Sequence, residues 1–284
     1  EPKKCDLFII GPFQNLSKKK LSWCPKPLRP HFLALNKSIG TALASRDKAP
    51  LTLFQTGENI RHDHTSNDFS ITFDLGISSP HHFRMPYWME VADWSSEGVT
   101  GNINTRYGRL INIDRLMQPL GENFLHRPQK AAIFASHLRE PRGTLLEAVK
   151  RQIEVVEFGK SFNSQIKNHS ESGLIKFDEL QHFAFNLCPE NGMHPGYYTE
   201  KIPEAFMAGC LPITWVDENV KVDFNPLALI NLAPMSLNYF SELGEILHSR
   251  NTLATYAEQA LLLKRPSVEP LKKFIQEIIL TATS

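Results

Sequence analysis

Apolar residues fall in short blocks along this chain, each closed by glycine, proline or a polar cluster. Asp6–Gly11 (DLFIIG), Leu51–Gln55 (LTLFQ) and Ser70–Phe73 (SITF) have the length of buried strands, and the first ends at Gly11-Pro12. From Arg84 to Arg127 the pattern is irregular and rich in Trp, Tyr, Met, Pro and Gly, which predicts loops and a connection between domains. Ala131–Ser136 (AAIFAS) restarts the strand pattern. Pro141–Phe158 then carries Leu145, Val149, Ile153 and Val156 on one stripe and predicts a helix. The clearest order lies further on: a strand at Phe183–Leu187, a polar loop at 189–198, and a helix at Thr199–Ala208 with Thr199 as N-cap and Gly209 at its end. Strands come next at Leu211–Val216 and Leu229–Leu232. Strand, helix and strand at this spacing form a βαβ unit and hence a parallel sheet. In the tail, Leu237–Leu280, Pro266 and Pro270 divide a helical pattern into two helices. The pattern predicts an α/β protein with two Rossmann-like domains facing a cleft, residues 1–128 and 129–284.

Composition narrows the chemistry. Lys plus Arg (31) nearly balances Asp plus Glu (30) over 284 residues, so no overall field points to nucleic acid or an anionic membrane. The run Lys18–Lys20 reads as a solvated loop. No apolar run approaches the roughly 18 residues that span a bilayer. Cys5, Cys24, Cys188 and Cys210 form no CxxC pair and show no zinc-ligand spacing; Cys188 and Cys210 lie in apolar surroundings and read as buried, while a Cys5–Cys24 pair stays open. The N-x-S/T triplets at Asn15, Asn36 and Asn168 do not establish secretion. Neither a GxGxxG fingerprint nor a Walker A loop is present. His62, His64, His81 and His82 crowd together in sequence but match no metal-ligand spacing. Tyr87, Trp88 and Trp94 fit core packing better than a sugar-stacking platform.

Chemistry concentrates in Asn191–Lys201 (NGMHPGYYTEK), a polar loop leaving the carboxyl end of a strand and entering a helix. Ligands of open α/β sheets bind at that edge. A helix start with Lys201 in its first turn suits a phosphate, Glu200 suits paired ribose hydroxyls, and Tyr197 adds a donor. By spacing alone, the same residues also fit an ordinary capped helix with a solvated lysine.

The segment FAFNLCPENGMHPGYYTEK resembles the donor motif of glycosyltransferase family 10, the α-1,3/4-fucosyltransferases, of bacterial type. Asn186, Glu190, Asn191, Tyr197, Thr199, Glu200 and Lys201 carry the resemblance. Ile213–Trp215, Asp223–Pro226, the turn Thr56–Asn59, Phe83–Pro86 and the tail from Tyr239 extend it more weakly. Pro189 stands where the family has Phe, and a further strand, helix and strand before Asp6 have no counterpart. The resemblance implies a GT-B-like fold with a shortened or incomplete N-terminal acceptor domain. It implies an inverting transfer of fucose from GDP-fucose to an N-acetylglucosamine- or lactosamine-type hydroxyl, with no metal and no other cofactor. The implied donor-binding residues are Arg142, Glu190, Asn191, Tyr197, Thr199, Glu200 and Lys201. Glu58, at a turn after a strand, is the expected base, with Asp74 as second candidate. The implied partners are an oligosaccharide or lipopolysaccharide acceptor and no nucleic acid. The implied place is the cytoplasm with peripheral contact at the inner membrane, or the Golgi lumen for a eukaryotic chain. Another GDP-sugar donor, or a non-catalytic GDP- or glycan-binding remnant, are the competing readings.

Overall fold

The structure is a computed structural model and describes residues 6–12, 50–103, 109–162, 172–235 and 241–283. Lys18–Lys20, Cys5, Cys24 and the three N-x-S/T triplets lie outside those residues. The chain divides into two compact units, Glu1–Met85 with Val268–Ser284, and Pro86–Ser267.

Among the described residues the first unit holds four parallel strands in sequential order: β1 (Leu7–Ile10), β2 (Leu51–Gln55), β3 (Phe69–Thr72) and β4 (His82–Arg84). Every residue of β3 is buried, and the hydroxyls on its Ser70–Thr72 face have partners: Ser70 Oγ lies 2.9 Å from His82 Nδ1 and Thr72 Oγ1 donates to Asp74 Oδ2 at 2.8 Å. β4 is a strand the apolar pattern does not announce. Three residues, His82-Phe83-Arg84, are too few for a periodicity, and the strand exists through its pairing with Ser70–Thr72.

Five parallel strands form the second sheet, in the order β6-β5-β7-β8-β9: β5 (Ala131–Phe134), β6 (Val155–Phe158), β7 (Phe185–Leu187), β8 (Leu211–Thr214) and β9 (Ile230–Asn231). The helices of this unit are α1 (Tyr87–Glu90), α2 (Ile113–Leu116), α3 (Arg142–Lys150), α4 (Ser172–Leu180), α5 (Lys201–Met207), α6 (Ser241–His248) and α7 (Arg250–Ala257); α8 (Glu269–Thr283) belongs to the first unit. One helix from 141 to 158 does not form. α3 stops at Lys150, and the β-branched pair Val155-Val156 opens β6, which pairs with β5. Ile153 and Val156 continue the helical stripe by coincidence; tertiary pairing overrides it. The tail holds three helices among the described residues rather than two. Pro270 sits in the first turn of α8, where its missing N–H is harmless, and so does not break a helix.

The compact units divide at Met85, not at 128. Within the second unit, residues 109–127 pack on the segments that follow: Leu120 N and Gly121 N donate to Gln259 O and Ala257 O, Leu262 N donates to Leu116 O, and Phe124 meets Phe185 edge-on at 6.4 Å. Trp88 and Trp94, each 2% exposed, are core residues, and the Trp88 ring lies 5.3 Å from Phe224. Conversely, α8 returns to the first sheet, where Phe274 meets Phe69 and Phe83 at ring distances of 6.1 and 5.5 Å.

Candidate active site

Strand order places the candidate residues. The chain leaves β5 for β6 on one side, while β7 lies on the other side of β5, so the sheet changes winding direction between β5 and β7. Crevices outside the carboxyl ends of strands at such a switch point are where open α/β sheets bind ligands. Arg142 opens the helix after β5, and Glu190–Lys201 form the loop and helix start after β7. The two segments meet. Arg142 Nη2 donates to Asn191 Oδ1 at 2.6 Å and Nη1 donates to His137 O at 2.9 Å, with Arg142 6% exposed.

β7 ends at Leu187, Cys188 N still donates to Ile213 O of β8, and Pro189 follows without an N–H. Glu190 then turns into the protein, 1% exposed. Its Oε1 accepts from Thr199 N at 2.7 Å, its oxygens accept from Thr199 Oγ1 at 2.9 and 2.8 Å, and its Oε2 accepts from Lys201 Nζ at 2.8 Å. Lys201 Nζ also donates to Thr199 Oγ1 at 2.7 Å. Thr199 is therefore not an N-cap. The capping position is Glu200, in helical conformation and without a side-chain cap bond, and α5 runs only seven residues from Lys201. Thr199 instead fastens the loop to Glu190.

Burial would lower the Lys201 pKa, but Glu190 and Glu200 outweigh it and hold the ammonium well above its ordinary value. Burial lowers the Arg142 guanidinium, opposed by Glu190 and Tyr197. The site also contains residues that the motif does not single out. His137 lies in the same electrostatic neighbourhood: burial, then Arg142, Arg139 and Lys201, push its pKa below the usual histidine value and keep the ring neutral at pH 7. Tyr198 anchors the loop. Its ring is fully buried, its hydroxyl donates to Asp217 Oδ2 at 3.0 Å, and burial beside Asp217 raises its pKa. A stretch dense in basic residues after a strand (His137, Arg139, Arg142) was the sequence signal for the first of these; Tyr198 carried none. Tyr197 and Glu200 are buried, at 3% and 1% exposure. One turn beyond Glu200, Glu204 pairs with Lys176 of α4 at 2.7 Å, and burial pushes the Glu204 carboxyl up to about 7.

In the first unit, Glu58 is exposed beyond the carboxyl end of β2. Asp74, the second candidate base, is unsuited to the role. It is 1% exposed, and its carboxylate takes the Arg61 guanidinium, the His62 backbone N–H at 2.7 Å and the Thr72 hydroxyl at 2.8 Å. His62 and His82 come together with ring centroids 5.4 Å apart. His82 Nδ1 lies 2.9 Å from Ser70 Oγ, and its pKa is lowered by burial and then by His62. Among the described residues, no group of three or more His, Cys, Asp or Glu is placed to hold a metal ion, and no helix is long and apolar enough to cross a membrane. Cys188 and Cys210 are buried free thiols, as the apolar surroundings suggest.

Comparison with known proteins bears on the same segment. Residues 125–251 match the family model "Glycosyltransferase family 10 (fucosyltransferase) C-term". The alpha-(1,3)-fucosyltransferase FucT of Helicobacter pylori is 27% identical over 195 residues, which is 63% of this chain and 40% of that protein, so the match spans less than half the relative's length. A crystal structure of an alpha1,3-fucosyltransferase with GDP-fucose superimposes with a TM-score of 0.60 at 21% identity, covering 82% of this chain and 76% of the other. Another, with GDP, gives 0.61 at 17% identity over 98% and 92%. These likenesses establish the fold, α/β with two Rossmann-like sheets in the GT-B manner. The helix-opening arginine after β5 and the glutamate–threonine–lysine knot after β7 both lie within the segment 125–251, which matches the glycosyltransferase family 10 (fucosyltransferase) C-terminal domain.

Proposed function

We propose that the chain transfers fucose from GDP-fucose to a hydroxyl of an N-acetylglucosamine- or lactosamine-type glycan, in α-1,3 or α-1,4 linkage and with inversion. One observation carries this reading: a buried cation, Arg142, and a half-buried one, Lys201, issue from the two segments that flank the winding switch, in the portion matched by the family model. Their charges oppose the charge that grows on a departing diphosphate, which is the usual source of transition-state stabilisation in such transfers. In this reading Glu58 takes the acceptor proton as the acceptor oxygen bonds to the sugar carbon and the carbon–phosphate oxygen bond breaks, leaving GDP with the electron pair. Tyr197 and Glu200 face the nucleoside, and Arg142, Asn191 and Lys201 hold the diphosphate. Glu190 and Thr199 act through Lys201, because their polar atoms are engaged with it. The two cations replace a metal ion, so transfer proceeds in EDTA.

The test is calorimetry with GDP and UDP, followed by transfer assays in EDTA. GDP-fucose and GDP-mannose serve as donors, and N-acetyllactosamine and lipopolysaccharide oligosaccharide as acceptors. GDP binding with fucose transfer is the expected result. Absence of GDP binding overturns the proposal. Transfer from GDP-mannose alone changes the donor, and GDP binding without any transfer makes the chain a binding remnant.

A further inference from the structure

Two loops leave neighbouring strands of the first sheet at the same edge. β2 ends at Gln55, opposite Ile71 of β3, so the turn bearing Glu58 and the residue Asp74 both lie just beyond the carboxyl ends of adjacent parallel strands. The turn itself is short of internal support: Glu58 N donates to Thr56 Oγ1 at 3.0 Å, and Ile60 N donates to Glu58 O at 2.7 Å. The residues just past it, Arg61 and His62, are both fixed to one carboxylate. Asp74 Oδ1 receives the Arg61 guanidinium, and Oδ2 accepts the His62 backbone N–H, with the His62 imidazole 3.4 Å away. Thr72, at the end of β3, donates its hydroxyl to Oδ2 and so holds the carboxylate against the sheet. A carboxylate 1% exposed that gathers a side-chain cation, a main-chain N–H and a hydroxyl is a rigid tether, since moving any one partner leaves a buried charge less well solvated.

We propose that Asp74 is a positioning residue for Glu58: the Asp74–Arg61–His62 knot fixes the turn after β2 so that the Glu58 carboxylate keeps one orientation. The inference rests on Glu58 being the base. It assigns Asp74 no proton transfer, and it converts the second candidate base into the support of the first.

The experiment compares Asp74→Ala, Arg61→Leu and Glu58→Gln, alone and combined. Arg61 is partly exposed, so Arg61→Leu removes less buried packing than Asp74→Ala, and urea unfolding of each variant separates lost stability from lost turnover. Transfer from GDP-fucose to N-acetyllactosamine should fall about 10- to 100-fold in kcat for Asp74→Ala and Arg61→Leu, the scale on which misplacement of a reacting group acts. KM for GDP-fucose should not change, and the double variant should be no slower than either single one. Added to Glu58→Gln, Asp74→Ala should cause no further loss. Amide exchange gives a second readout: the His62 N–H should exchange faster in both variants, with the β2 and β3 amides unchanged. Wild-type turnover in Arg61→Leu, an equal further slowing in the Glu58→Gln background, or unaltered His62 exchange overturns the inference. Wild-type turnover in Glu58→Gln instead sinks the base assignment, and the exchange measurement then still reports whether Asp74 holds the turn.

Discussion

Lys201 has three N–H donors, and Glu190 and Thr199 take two of them, so the proposed function assigns the third to a phosphate oxygen. Its replacement by alanine therefore has two effects that ought to be separable. Turnover should drop by two to three orders of magnitude, roughly the loss on removing one stabilising donor. Stability should also drop, by about 3–5 kcal/mol, because a 1% exposed Glu190 carboxylate loses its cation. The double variant Lys201→Ala with Glu190→Gln should regain most of that stability in urea unfolding while turnover stays low. At this scale the sequence marked a segment whose polar residues the structure does gather, and misled about what they touch. The Thr199-Glu200-Lys201 triplet has the composition of a capped helix start, yet Thr199 bonds backward to a glutamate nine positions earlier. Such a partner depends on how the loop closes, which local pattern does not record. The Asp74 knot was hidden for the same reason, since it joins residues 61 and 62 to 74 across the sheet edge.

Elements followed the apolar blocks at β1, β2, β3, β5, β7 and β8, whether the strand is buried throughout, as β3 and β8 are, or only in part, as β1 and β2 are. They departed from them where pairing decided, at the three-residue β4 and at β6, which takes over the last part of an apparent helix. The end of β6 is also tightly fitted. Gly159, at φ +110°, comes directly after Phe158, and a Cβ there would run into the carbonyl oxygen of Ala135, at the head of the loop that carries His137 and Arg142. Gly159→Ala should cost about 1–3 kcal/mol in chemical unfolding, from left-handed strain plus the clash. It should also weaken GDP binding by calorimetry, because the displaced strand end bears the arginine loop. The α4–α5 contact makes a second element-level prediction. Glu204 in the folded chain holds its proton up to about 7, whereas an unfolded carboxylate loses it in the ordinary acidic range. The folded state thus binds more protons between those limits, so this group's contribution to stability falls as pH rises through that window. Urea midpoints from pH 5 to pH 8 should show wild type losing ground against Glu204→Gln as pH increases, with the difference level above about pH 8.

For the whole molecule, two α/β halves were legible because two runs of strand-sized apolar blocks are separated by an irregular stretch. Their membership was not, because neither the packing of residues 109–127 within the second unit nor the return of α8 to the first is encoded in local pattern. Phe274 is the test of that return. It is 8% exposed and its ring contacts Phe69 and Phe83, so Phe274→Ala should destabilise the first unit by about 3–5 kcal/mol. Hydrogen exchange should show protection lost in β2 to β4 and kept in β5 to β9, with GDP affinity unaltered. The same connectivity, with Val268–Ser284 completing a unit begun before Met85, orders events on the ribosome. All of Pro86–Ser267 leaves the exit tunnel before the helix that covers Phe69 and Phe83 exists. Because domains fold as units during synthesis, the second unit matures first, and the nascent first unit waits with an uncovered aromatic face until α8 emerges.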